Sequence, residues 1–151
     1  MRLLFSTTPL DGHFRPLLPL AHALRARGHE LAFATAASWH EHVEAEGFAA
    51  LPAGVDHGAA RAVRLDRELE AVSRLPPIDR RHYVFSYLFA DGHAPSKLPA
   101  LVEQARAWRA DAIVFEAADL AAPIAAEVLA VPSVHHAFGT MSTYRPRNAP
   151  P

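Results

Sequence analysis

Residues 2–35 read RLLFSTTPLDGHFRPLLPLAHALRARGHELAFAT, and this stretch decides the fold. It opens on a short, unbroken apolar run, Arg2 to Ser6, of the kind that a strand buried on both faces requires. A loop from Thr7 to His13 follows. Leu17, Leu20, Ala21, Ala23 and Leu24 then form a helical stripe, with Pro16 in its first turn and Gly28 as its stop. Leu31 to Ala34 predicts a second strand. Outward from there, Ser38-x-x-Glu41 reads as a capping box for a short helix closed by Gly47. Phe48 to Leu51 predicts a third strand ending at Pro52. Strand, helix, strand, helix, strand in under 55 residues implies parallel βαβ units and a doubly wound parallel α/β sheet.

The middle of the chain has a different pattern. Residues 57–95 carry two helix-like patterns, Ala60 to Leu75 and Asp79 to Phe89, split by Pro76-Pro77. They predict a helical insertion lying over the sheet. Ser96 is expected to cap a helix running to Trp108, and Ala112 to Phe115 predicts a fourth strand. Asp119 reads as the N-cap of a helix from Leu120 to Ala130, and Val131 to His135 as the fifth strand. The tail from Tyr144 to Pro151 is polar and proline-rich, as at the start of a linker. The expected organisation is one Rossmann-like domain over 1–143 and a linker segment over 144–151.

The chain has 151 residues, enough for one full core. Fifteen Lys and Arg against 16 Asp and Glu leave a net charge of -1, which removes any general electrostatic case for nucleic acid or anionic lipid. The absence of Cys excludes disulfides, thiolate metal sites and cysteine nucleophiles. No signal peptide and no apolar run of spanning length is visible, so a cytoplasmic domain is expected. There are 31 Ala, and Arg outnumbers Lys 14 to 1. Both biases read as coding composition, because the arginines are scattered.

Chemistry in a doubly wound sheet collects at the carboxyl ends of the strands. There the sequence delivers Gly12 and His13 after the first strand, Glu116 and Asp119 after the fourth, and His135 and His136 after the fifth. No G-x-G-x-x-G, P-loop or G-x-S-x-G motif is present. His40 and His42, two apart on a helix, do not share a face and predict no metal site. His13 is the residue of interest. Its imidazole, close to neutral pH in titration range by nature, suits a general base, and Gly12 beside it allows close approach of a ligand. A carboxylate from the next strand would fix its tautomer and stabilise the imidazolium as it forms, and Glu116 is placed to supply it. The plainer alternative makes His13 a loop residue at a helix start and Glu116 a solvated strand end. Tyr83, Phe85, Tyr87, Leu88 and Phe89 give the middle segment an aromatic density suited either to an apolar ligand cleft or to packing a helix onto the sheet.

The opening 35 residues, with the run GHFRPLLPLAHALRARGHE, resemble the N-terminal half of the GT-B natural-product glycosyltransferases of actinobacteria. The segment WRADAIVFEAADLAAPIAAEVLAVPSV is similar to that family's strand and helix carrying a carboxylate. The resemblance covers 1 to about 55 and 100 to about 140, and in the middle holds only in kind. It implies inverting, metal-independent transfer of a sugar from a nucleotide diphosphosugar (TDP- or UDP-linked) to a hydroxyl of a small natural-product acceptor. His13 falls on the base, Glu116 on its carboxylate partner (where many members have Asp), and Gly12 on the loop facing the donor phosphates. Phe14, Tyr83, Tyr87, Phe89 and His136 become the expected acceptor contacts. The family's donor-binding half has no counterpart in these residues, so the chain is expected to be inactive alone, with that half supplied in cis or in trans. A stand-alone binding or auxiliary domain is the competing class.

Overall fold

β1 (Arg2–Ser6) is central to the sheet, and its apolar run explains why: residues 3–6 are all buried. The structure, a computed structural model, describes residues 1–56, 74 and 76–137, without the side chains of 78, 81, 82, 84, 87 and 88. After β1 the chain passes through a one-turn helix, α1 (Asp11–Phe14), a 3₁₀ turn (Arg15–Leu17) and α2 (Leu18–Ala26). Gly28, at φ +82°, ends this helix and feeds β2 (Glu30–Thr35). α3 (His40–Ala45), closed by Gly47 at φ +78°, leads to β3 (Ala49–Pro52). Beyond the undescribed stretch come α4 (Pro77–Phe85), a π-helical segment (Ser86–His93) and α5 (Ala94–Trp108). β4 (Ala112–Glu116), α6 (Ala121–Leu129) and β5 (Ser133–His136) complete the described chain.

All five strands pair in parallel in the order β3-β2-β1-β4-β5. The order reverses between β1 and β4, so the crevice at their carboxyl ends is the topological switch point where such sheets bind ligands. The predicted alternation and the five strands are therefore present. The helical middle is present over Pro77–His93, while the Ala60–Leu75 pattern and the 144–151 tail lie outside the described residues.

Two apolar layers hold the sheet. One face packs Leu3, Phe5, Phe33 and Val114 against Phe14, Leu17, Ala21 and Val43, with the Phe5 and Phe33 rings 5.0 Å apart. The other face is built largely of small residues. Leu4, Ala32, Ala34 and Ile113 meet Leu101 and Ala105 of α5 and Ala121, Ala122, Ala125 and Ala126 of α6. Short side chains let two helices lie close to the sheet and to each other, so part of the alanine excess has a packing role that composition alone does not suggest.

Two expected caps are not formed. Ser38 lies inside a 3₁₀ turn (Ala37–Trp39) ahead of α3, and its hydroxyl donates to the Asp56 carboxylate instead of accepting from a helix amide. Ser96 lies inside α5, because the preceding π-helical segment already runs into it; its hydroxyl donates back to the carbonyls of Gly92 and His93.

Candidate active site

The last residue of β4, Glu116, is fully buried, and its carboxylate is engaged on both oxygens. Oε1 accepts from the Thr8 hydroxyl at 2.9 Å and from the Thr8 amide at 3.3 Å. Oε2 accepts from the Ala118 amide at 2.6 Å and lies 3.0 Å from Nδ1 of His13. Burial pushes the Glu116 carboxyl up, but the hydrogen bond and charge of His13, the Ala118 amide and the Thr8 side chain together hold it below the usual carboxylate value. Glu116 is thus an anion at neutral pH, held where water does not reach.

His13 belongs to α1 and not to a loop. Leu10 is extended, and its carbonyl accepts from the amides of His13 and Phe14 at 3.0 and 2.9 Å, which closes a helical turn straight after the loop. That turn points the imidazole back over the end of β4. In the neutral ring, an acceptor-only carboxylate at Nδ1 favours the proton on Nδ1, which gives Nε2 the acceptor role. The ring is 15% exposed, and Phe89 of the π-helical segment lies against it at 5.6 Å between ring centroids. Phe89 in turn contacts Phe85 at 4.8 Å and His93 at 5.7 Å. π-helical segments recur at functional sites, and here one brings an aromatic ring to the histidine.

Of the expected site residues, the fold brings together His13, Glu116 and Phe89, and His136 is the β5 partner of Glu116 in register. Gly12 is exposed in the first turn of α1, and a Cβ there would meet nothing within 4 Å. Tyr83 and Phe85 are both 38% exposed on α4, while the side chain of Tyr87 lies outside the described residues. Phe14 is placed elsewhere: it is buried in the core, edge-on to Phe33 at 5.3 Å. Adjacent residues on a helix point about 100° apart, so α1 cannot aim both His13 and Phe14 at one crevice. His42 stacks on Trp39 at 4.2 Å, and among the described residues no group of three or more His, Asp or Glu could hold a metal ion.

Two contributors escaped the sequence reading. Thr8 supplies two of the bonds to Glu116. Lys97, the chain's one lysine, is buried on α5, where its ammonium pairs with Asp119 at 2.7 Å. A shallow depression is lined by Thr8, Pro9, Gly54, His93, Lys97 and Leu120, with Ala118 and Asp119 at its β4 end. The signal for Lys97 was its rarity: a lone lysine among 14 arginines, within an otherwise amphipathic helix.

Fold and site together define a doubly wound α/β domain with a buried imidazole–carboxylate dyad at its switch point. Residues 22–149 match the family described as erythromycin biosynthesis protein CIII-like, N-terminal domain, and the chain belongs to that family. It is 28% identical to 3-alpha-mycarosylerythronolide B desosaminyl transferase of Saccharopolyspora erythraea, over 97% of this chain and 38% of the relative. It is 32% identical to aklavinone 7-beta-L-rhodosaminyltransferase of Streptomyces galilaeus, over 85% of this chain and 32% of the relative. Among solved structures, glycosyltransferase VinC in complex with DTDP superposes with a TM-score of 0.69 at 27% identity, over 92% of this chain and 35% of that one. SnogD from Streptomyces nogalater superposes with a TM-score of 0.68 at 28% identity, over 92% and 34%. The chain spans about a third of the length of the curated relatives it matches. Among the described residues no helix is long and apolar enough to cross a membrane.

Proposed function

We propose that this chain is the acceptor-side domain of a glycosyltransferase that moves a sugar from a thymidine diphosphosugar to a hydroxyl of a polyketide-like acceptor. The observation that carries the reading is the 3.0 Å contact between Nδ1 of His13 and Oε2 of Glu116 at the switch point between β1 and β4. Nε2 accepts the proton of the acceptor hydroxyl as its oxygen attacks the anomeric carbon; the bond to the diphosphate breaks, the nucleoside diphosphate leaves, and the anomeric centre inverts. Glu116 stabilises the imidazolium that forms, and base assistance of this kind contributes about 10²–10⁴-fold. The relatives' names supply the substrate class, and the DTDP bound to VinC supplies the donor nucleotide.

Tyr83, Phe85 and Phe89 offer the apolar side of the acceptor cleft, with His136 at its β5 edge. Gly12, with bare backbone beside His13, faces the donor phosphates. In this reading the donor is held by a second domain, in cis or in trans. The test is turnover in a polypeptide that joins this domain to a donor-binding half. His13→Ala is expected to cut turnover by about 10²–10⁴-fold while acceptor affinity stays near wild type. Unchanged turnover in that variant would overturn the reading.

A further inference from the structure

Lys97 carries three ammonium protons and has three acceptors, all from different elements. They are the Asp119 carboxylate at 2.7 Å, the Thr7 carbonyl at 2.8 Å and the Ala34 carbonyl at 3.2 Å. Asp119 is equally committed: Oδ2 also accepts from the Ser6 hydroxyl at 2.6 Å, and Oδ1 accepts from the Ala122 amide at the start of α6. Both side chains are buried, at 4% and 3% exposure. A fully used lysine has nothing left for a substrate, so its effect must pass through the groups it holds.

One of those groups matters for the dyad. The Thr7 carbonyl and the Thr8 amide belong to the same planar peptide, so fixing the oxygen fixes the direction of the N–H. That N–H, together with the Thr8 hydroxyl, donates to Oε1 of Glu116. Residues 6, 7 and 8 are therefore tied in turn to Asp119, Lys97 and Glu116. We propose that the Lys97–Asp119 ion pair positions the catalytic dyad: it clamps the Thr7–Thr8 peptide, which orients the Glu116 carboxylate, which holds His13 in one tautomer. The idea builds on the reading of His13 as the base, yet the tautomer is observed without any transfer, so the two can fail separately.

The test is long-range ¹H–¹⁵N correlation of the histidine rings in the labelled chain, with His13 assigned by the signals lost in His13→Gln. The wild type is expected to show His13 as a single Nδ1–H tautomer. Lys97→Met releases the Thr7 carbonyl, and His13 is expected to lose that single pattern and show both tautomers, while His22 on α2 is unchanged. Lys97→Met with Asp119→Asn leaves no unpaired buried charge and keeps an acceptor for the Ala122 amide; it decides the matter if the single variant does not fold. Wild-type His13 signals in the folded variants would overturn the proposal. Failure of both variants to fold would overturn it too, showing a requirement for folding in place of a positioning role. Mixed tautomers in the wild type would count against the dyad itself, and the proposal falls with it.

Discussion

Glu116 and Asp119 lie three residues apart at the carboxyl end of β4, at 0% and 3% exposure, yet their partners differ in kind. Asp119 faces an ammonium whose protons are all spent on fixed acceptors, a serine hydroxyl and a helix amide. Nothing in that arrangement can exchange a proton with a ligand. Glu116 faces two groups of Thr8, the Ala118 amide and the imidazole of His13, a group that can carry one ring proton or two. The comparison teaches that burial and charge do not tell the two carboxylates apart. What does is the partner, since only Glu116 contacts an imidazole, a group that can exchange a proton near neutral pH.

The largest effect in breaking this contrast is expected on the structural side. Lys97→Met leaves Asp119 as a buried, unpaired carboxylate, and breaking such a pair costs about 3–5 kcal/mol, measurable as a fall in denaturant midpoint at constant slope. Adding Asp119→Asn is expected to return part of that loss. On the reactive side, Glu116→Gln keeps the shape and removes the charge. A hydrogen bond to a charged group is worth about 1.5–3 kcal/mol, so turnover in the joined polypeptide is expected to fall about 10- to 100-fold, less than for His13→Ala. Acid sharpens the contrast further. Because the folded Glu116 carboxyl sits below its usual value, its contribution to stability is fully present above about pH 4.3 and is lost as pH falls through the depressed value. The stability gap between wild type and Glu116→Gln is therefore expected to narrow on acidification below that point. Ser6→Ala, which removes one neutral donor from Asp119, is expected to cost only about 1 kcal/mol and to leave turnover within a few-fold.

The sheet was legible because β1 to β4 are short, largely apolar runs, with Gly28, Gly47 and Pro52 marking the ends of neighbouring elements, and the helices between them repeat at helical spacing. His13 and Glu116 were legible because strand ends converge in such a sheet, so two residues 103 positions apart acquire a common address from topology alone. The failures have local causes. Ser38 and Ser96 look like caps in sequence, but a 3₁₀ turn and a π-helical segment fill the positions where helix starts were expected. Phe14 is expected in the acceptor cleft, whereas the one-turn helix turns it into the core, edge-on to Phe33. Lys97 has no sequence partner, since Asp119, Thr7 and Ala34 meet it only once three elements pack. The Phe89 contact with His13 comes from a π-helical segment, which no periodicity in the sequence shows.

The central claim is that a polyketide-like acceptor binds over His13 at the carboxyl edge of the sheet. Titrating the labelled chain with aklavinone, and following the ring resonances of His13 and Phe85, tests it most directly. Saturable shifts at His13 and Phe85, with the Arg2–Glu30 region at the opposite edge unmoved, are the predicted result; saturable shifts confined to residues away from His13 would contradict it.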